Sequence, residues 1–464
     1  MKSSCFVSAT VFVAFLFTAL PGWAADKTAA SARPNILLIV SDDQGYHDLG
    51  CLGDSELQTP NLDRLAKEGV RLTSFYVTWP ACTPSRGSIL TGRYPQRNGL
   101  YDMIRNDMVN YGHRFTEEEY AVSPEMTLGL DLREITVAQV LRQAGYATGA
   151  VGKWDSGRAK RFLPLQRGFD FYYGFANTGI DYWTHERYGV PSMFRGNQRI
   201  KETGYATDLF RREALGFICQ NQNRPFFLYL PFNAPHGASN LEKDSWQVPE
   251  QYIQKYPGCD PKANRTKYMA MVTCMDEAIG EVLDTLKELG LEQNTLVIFH
   301  SDNGGSGPGD NRPLRGHKSQ LFEGGLRVPC LVRWPGRLPA GRVSDEFLTT
   351  LELLPTLAAV AGAKPPEGVV LDGFNMLPVL QGQAKSSRTE MFWQRRSDRA
   401  ARVGNYKWVD SAAGKGLFDL AEDLGEKHDL SAEKPEVLKR LKARFTAWQQ
   451  EMDAAEPHGP FRDY

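Results

Sequence analysis

The chain has 464 residues, 42% of them apolar and 23% charged, with a formal net charge of −1. That length allows a large core and two or three domains. The near-zero charge excludes the electrostatic footprint of a nucleic-acid-binding protein or of one held to an acidic membrane, so any anion site must be a local constellation.

The first element is an N-terminal leader. Lys2 precedes an apolar run from Cys5 to Leu20, and Pro21-Gly22-Trp23-Ala24-Ala25 supplies small residues for cleavage near Ala24. Residues 1–24 read as a secretory signal peptide, which predicts a secreted or periplasmic protein. About 16 mostly apolar residues fall short of the ~20 that a spanning helix needs, and no later run is long enough, so no stable membrane insertion is expected. There are seven cysteines, Cys5, Cys51, Cys82, Cys219, Cys259, Cys274 and Cys330. Without Cys5 and Cys82 an odd, irregularly spaced set remains; this is not a disulfide scaffold, and at most two bridges can form.

Four short apolar runs each lead into a polar cluster. Asn35 to Val40 ends in Ser41-Asp42-Asp43, Tyr146 to Val151 in Gly152-Lys153-Trp154-Asp155, Phe226 to Leu230 in Asn233-Ala234-Pro235-His236, and Leu296 to Phe299 in Ser301-Asp302-Asn303-Gly304-Gly305. Continuous apolar runs of this length predict strands buried on both faces, as in a parallel sheet. Helical patterns alternate with them. Pro60 to Gly69 and Thr136 to Gly145 end in glycine, and Lys267 to Leu289 repeats Met271, Met275, Ile279, Val282 and Leu286 at three- and four-residue steps. Alternation of this kind predicts an α/β domain whose ligands bind beyond the carboxyl ends of the strands. All four polar clusters should therefore meet on one rim. After Leu371 the texture changes: Met391–Trp393, Ala401–Val403 and Tyr406–Val409 predict short strands, and Pro435 to Met452 a closing helix.

Between the first two strands lies Cys82-Thr83-Pro84-Ser85-Arg86, then Gly87 and a run to Gly92 and Arg93. A proline in a first helical turn and a closing glycine predict a short helix with Cys82 at its N-terminus, where unpaired N–H groups favour an anion. Arg86, one turn on, can return to the same end. Asp42, Asp43, Asp302 and Asn303 offer the oxygen ligands of a hard cation such as calcium or magnesium; nothing resembles a zinc site. Either pair alone is what a helix cap or turn former would show. Two pairs at the ends of two predicted strands point to a metal.

Taken together, Cys-x-Pro-Ser-Arg at 82–86, Gly152-Lys153-Trp154, the histidine His236, Asp302-Asn303-Gly304, and Arg315-Gly316-His317-Lys318 before Glu323-Gly324-Gly325 resemble the motifs of the type I sulfatases, over almost the whole mature chain. The resemblance implies an α/β fold: an alkaline-phosphatase-like large domain over 33–370, with a central, mostly parallel sheet flanked by helices. A small C-terminal antiparallel sheet with a helix, over 371–464, completes it. It implies that Cys82 is oxidised to formylglycine (3-oxoalanine) by a maturation enzyme acting on the Cys82 motif. It implies that Asp42, Asp43, Asp302 and Asn303 bind the divalent metal, calcium in preference to magnesium, with the modified Cys82 adding an oxygen. The hydrated aldehyde would attack sulfur and its second hydroxyl would expel sulfate. Arg86, Lys153 and Lys318 would neutralise the sulfuryl group, and His236 or Lys318 would assist the departing alcohol. One position departs: where sulfatases commonly read Gly-Lys-Trp-His, this chain has Asp155, expected to contact the modified Cys82 or the sulfate.

The expected reaction is hydrolysis of a sulfate monoester on a sulfated carbohydrate or polysaccharide. Tyr172, Tyr173, Tyr182, Trp183 and Tyr188, with Arg195, form an aromatic and basic stretch that can stack on sugars and meet anions. Asp181, His185 and Arg187 within it are the candidate substrate contacts. The rival readings are a phosphonate monoester or phosphodiester hydrolase using the same nucleophile, and a catalytically silent sulfated-glycan-binding protein.

Overall fold

Runs of branched and aromatic residues that bury both faces form the centre of a ten-stranded sheet. The structure is a computed structural model that describes residues 33–104, 116–122 and 124–455; the expected signal peptide lies outside them. In chain order the strands are β1 (Asn35–Ser41), β2 (Val70–Leu72), β3 (Ala147–Lys153), β4 (Phe171–Phe175), β5 (Met193–Arg195), β6 (Gln198–Arg199), β7 (Phe226–Pro231), β8 (Thr295–Ser301), β9 (Cys330–Arg333) and β10 (Arg342–Ser344). Their spatial order is β10-β2-β9-β8-β1-β7-β3-β4-β5-β6. The central five, β8, β1, β7, β3 and β4, run parallel. Antiparallel neighbours, β9 and β5, join them on either side.

The continuous apolar runs have a simple cause. Leu37 and Ile39 of β1 enter one hydrophobic cluster, with helices α1 (Pro60–Glu68), α4 (Ala206–Asn221) and α5 (Asn264–Glu288). Ile36, Leu38 and Val40 enter the other, with α2 (Cys82–Thr91), α3 (Val137–Gln143) and α6 (Leu353–Ala361). Each such side chain taken fully out of water contributes roughly 1.5–3 kcal/mol, an upper value for a compact unfolded chain. The aspartates and the lysine of these polar clusters therefore appear only at or just beyond the strand ends, and the parallel strands end together.

The predicted helices form with shifted ends. Thr136 caps α3 in a reciprocal box with Gln139. Helix α5 begins at Asn264, three residues before the start predicted at Lys267. Gly92 closes α2 at φ +66, the left-handed conformation that favours glycine.

Four antiparallel strands, β11 (Glu390–Arg395), β12 (Asp398–Val403), β13 (Tyr406–Ser411) and β14 (Gly414–Asp419), make the second sheet. Three of them match the sequence reading. The fourth, Gly-Lys-Gly-Leu-Phe-Asp, is not among the predicted strands; its two glycines weaken the strand signal. Helix α7 (Pro435–Ala454) lays Leu441, Phe445 and Trp448 on this sheet, in a cluster that also takes in Tyr76, Leu321, Phe322 and Leu326. From Arg33 onward the described residues cluster as one unit. Among the described residues the cysteines are free thiols, and no helix is long and apolar enough to cross a membrane.

Candidate active site

Parallel register brings the polar clusters to one rim. Val40 pairs with Pro231, and Ser41 with Ser301, so Asp42, Asp302 and the turn to His236 leave the sheet side by side. The Asp42 amide donates to the Ala234 carbonyl (3.1 Å) and the Asp302 amide to the Ser41 carbonyl (3.1 Å). Strand β3 approaches so closely that a Cβ on Gly152, at φ +120, would stand 1.9 Å from the Pro231 carbonyl oxygen. Only glycine fits there, and Lys153 follows directly.

Helix α2 delivers Cys82 into this rim. All ten of its residues are buried and no side chain caps its first turn. The Cys82 Sγ lies 3.5 Å from Asp42 Oδ1, 4.0 Å from Asp43 Oδ1 and 3.4 Å from Lys318 Nζ. Arg86 returns to the same end. It binds Asp302 Oδ2 through Nε (2.9 Å) and Nη2 (2.7 Å), and its Nη2 stands 3.7 Å from Asp42. Lys153 Nζ donates to Asp42 Oδ2 (2.7 Å) and Lys318 Nζ to Asp43 Oδ2 (2.8 Å). Asp43 also accepts from Asn303 Nδ2 (2.8 Å) and Ser306 Oγ (2.8 Å), and faces His236 Nε2 at 3.7 Å.

Electrostatics follow from this packing. Burial raises the Cys82 thiol far above its ordinary value, so as a cysteine it stays protonated despite the nearby lysines. Burial alone would raise Asp43 too, but Lys318 and His236 hold it below the usual carboxylate range. Burial and Lys318 together lower His236. Burial would lower Lys153, yet Asp42 keeps it charged.

Ligand atoms of Asp42, Asp43, Cys82 and His236 lie within 4.8 Å of one another, a possible metal-binding group. Asp302 is in the same cluster, but its oxygens are engaged by Arg86 and, through Oδ1, by the Asp43 amide (3.2 Å). Asn303 turns its amide nitrogen to Asp43 and leaves its buried Oδ1 without a partner. Four carboxylates, Asp42, Asp43, Asp155 and Asp302, thus meet three cations, Arg86, Lys153 and Lys318. An acceptor-rich set with one excess negative charge and an orphaned amide oxygen fits a hard cation.

The comparisons with known proteins agree with this geometry. The Sulfatase family profile matches residues 34–363, and one described as N-sulphoglucosamine sulphohydrolase, C-terminal, matches 317–451. The chain is 32% identical to N-acetylgalactosamine-6-sulfatase of the dog, Canis lupus familiaris, over 93% of this chain and 88% of the relative. It belongs to the sulfatase family. Human arylsulfatase A is 33% identical, with 93% and 90% of the two chains covered. The crystal structure of Ps i-CgsB, a protein also solved in complex with k-i-k-neocarrahexaose, superposes with a TM-score of 0.82 at 32% identity, covering 93% of this chain and 96% of that one. The chain is a sulfuric ester hydrolase of alkaline-phosphatase-like fold.

In this sulfatase Asp155 is buried, at φ +49, and accepts from Thr83 Oγ1 (2.9 Å) while its Oδ2 stands 3.8 Å from Lys153 Nζ. It thus braces the start of α2 and one site lysine, and it meets these rather than Cys82. Burial raises its pKa. Asp181 is enclosed by donors: the amides of Trp183 and Thr184 on Oδ1, and the side chains of Asn240 and Gln247 on Oδ2. His185 is buried, with Nε2 2.9 Å from the Gly204 carbonyl oxygen, and the Arg187 guanidinium covers the Tyr188 ring. Thr83 and Ser306 are site contacts that sequence reasoning passed over, because single hydroxyls carry no periodic or motif signal.

Proposed function

We propose that the enzyme desulfates a sulfated carbohydrate, with Cys82 converted to formylglycine by a maturation enzyme and a calcium ion beside it, in a secreted or periplasmic setting. The carrying observation is Cys82 at the head of α2, held between Asp42, Asp43 and Lys318. A weakly hydrogen-bonding thiol is poorly matched to that company, whereas an oxygenated side chain there has donors and acceptors on every side. Asp42, Asp43, Asp302 and Asn303, with the Cys82 side chain, would hold the ion. Calcium suits an oxygen set that is irregular and part amide, whereas magnesium demands a stricter octahedron.

When present, the formylglycine hydrate supplies two hydroxyls on one carbon, and the cation supplies charge neutralisation for the sulfuryl oxygens. The chain's own residues do the rest. Arg86 and Lys153 clamp Asp42 and Asp302, fixing the carboxylates before substrate arrives. Lys318 adds positive charge where the sulfuryl oxygens sit. The His236 Nδ1–H donates to the Gly237 carbonyl (2.6 Å), which leaves Nε2 as the ring position that faces the pocket and can carry a proton to the departing oxygen. Asp155 holds Lys153 and Thr83 and is proposed to steady the modified Cys82 through them.

The test compares natively produced enzyme on an aryl sulfate and an aryl phosphonate, with the mass of the peptide bearing Cys82. Formylglycine, together with faster turnover of the sulfate, is expected. Preference for the phosphonate would favour the phosphorus reading, and an unmodified thiol in active protein would refute the proposed nucleophile. Chelation should lower activity and the melting temperature together, because the ion binds only the folded chain. Stoichiometric zinc, or no divalent ion in active enzyme, would refute calcium.

A further inference from the structure

We infer that the indole of Trp183 is the platform on which a ring of the sulfated sugar stacks, an inference that rests on the sulfate-ester reading above. In such an ester the sugar is the leaving group, so it must lie on the side of the pocket where His236 stands. The segment from Asn177 to Tyr188 packs against that side. The Tyr182 hydroxyl donates to the carbonyls of Asn233 and His236, 2.8 Å from each. The Ser239 amide donates to the Ile180 carbonyl (3.2 Å), and the Tyr188 amide to the Ser239 carbonyl (3.0 Å). A Cβ on Gly179 would stand 3.2 Å from His236 Cε1, so this segment also walls the imidazole.

Of the aromatic stretch, Tyr172, Tyr173 and Tyr182 are buried. Trp183, 47% exposed, is the one aromatic among the exposed large hydrophobic side chains of the described residues. It is held rigidly. Asp181 Oδ1 accepts from the Trp183 and Thr184 amides (2.8 Å each), and Asn240 and Gln247 hold its other oxygen. The Tyr205 ring packs against the indole at 5.1 Å and stacks in turn on Tyr182 at 5.3 Å. The indole packs on Tyr205 and leaves about half of its surface open to solvent. An exposed aromatic side chain carried by the segment that walls His236 is suited to the apolar C–H face of a pyranose, which gains by leaving water. In this account Asp181 is a positioning residue for Trp183.

The experiment uses the matured full chain with two probes, a sulfated galactan hexasaccharide and an oligosaccharide of 6-sulfated galactosamine. Inorganic sulfate serves as a competitive inhibitor that fills the sulfuryl pocket alone. Trp183→Ala should raise KM for the cleaved oligosaccharide about tenfold, Trp183→Phe about threefold, and the inhibition constant of inorganic sulfate should stay within twofold in both. An unchanged KM in Trp183→Ala, or a sulfate constant that rises in parallel with KM, overturns the platform. So does a wild-type enzyme that hydrolyses 4-nitrophenyl sulfate but neither oligosaccharide. A wild type that hydrolyses no sulfate ester overturns the underlying reading and the platform with it.

Discussion

Cys82 and Asp155 are the two side chains whose chemistry the geometry constrains most. Burial keeps the unmodified Cys82 protonated, so the cysteine itself is a poor nucleophile at neutral pH. Cys82→Ser offers one hydroxyl where the proposed hydrated aldehyde would offer two, and Cys82→Ala offers none. Both are expected to reduce steady-state aryl sulfate turnover at least a thousandfold, with no loss of melting temperature beyond a few degrees. Asp155 is harder to place by analogy, because a carboxylate beside an anionic substrate is unfavourable unless a cation accompanies it. Lys153 at 3.8 Å is that cation, and the Thr83 hydroxyl takes the other oxygen. Asp155→Asn keeps the volume and removes the charge, so kcat should fall about a hundredfold while stability holds or rises, since a buried carboxylate is no longer desolvated. Near-normal kcat would assign Asp155 to packing alone.

Helix α1 shows how an element can depend on a residue distant in sequence. Its N-cap, Thr59, makes no side-chain cap bond. Asp276 of α5 supplies the cap instead, accepting from the amides of Asn61 (3.1 Å) and Leu62 (2.8 Å) and from Asn61 Nδ2 (2.9 Å). Asp276→Ala should therefore cost about 1–2 kcal/mol in urea unfolding. The pH dependence follows from the same burial, which outweighs those bonds and raises the carboxyl to about 6 from 3.8. Because the folded-state value is the higher one, the stabilising contribution is complete below about pH 4 and is lost as pH rises through about 6. Wild type should thus lose stability relative to Asp276→Asn between pH 4 and 7. A difference that stays constant, or changes the other way, contradicts this assignment.

The C-terminal sheet is coupled to the catalytic rim by a buried ionic cluster. Lys407 of β13 donates to Glu323 (2.9 Å) and pairs with Glu426 (2.9 Å), while Glu426 accepts from the Glu323 amide (2.7 Å). Tyr76 donates to the other oxygen of Glu323, and Arg402 to the Tyr76 hydroxyl (2.7 Å). Glu323 follows Lys318 by five residues, and the intervening chain is tied to the rim through the Lys318 amide to Gly305 (3.1 Å) and the Ser319 amide to Pro80 (2.7 Å). Removing the lysine takes the ion-pair partner from buried Glu426 and leaves Glu323 with Arg327 (3.5 Å) and the Tyr76 hydroxyl. Lys407→Met is expected to destabilise by about 3–5 kcal/mol, and the double variant with Glu426→Gln should recover part of that loss because one uncompensated charge goes with it. Equal stability of the single and double variants would show that the two residues are not coupled.

Much of this protein was legible before folding. Runs such as Asn35–Val40 announce strands buried on both faces because local composition mirrors burial, and a helix-terminal Cys-x-Pro-Ser-Arg is a contiguous signal. The convergence of Asp42, His236, Asp302 and Lys153 also follows from sequence, since parallel strands that alternate with helices end on one rim. Tertiary structure alone decided the rest. It engaged Asp302 with Arg86 and brought His236 to Asp43, and it turned Asp155 toward Thr83 and Lys153. It enclosed Asp181 in four hydrogen bonds while leaving Trp183 in the open, a sorting of one aromatic stretch that periodicity cannot make. It also paired Lys407 with Glu323 across 84 residues. The reason is physical: strands and helix termini arise from neighbours along the chain, but the partner of a charged or aromatic side chain is whichever group the packed fold brings within a few ångströms.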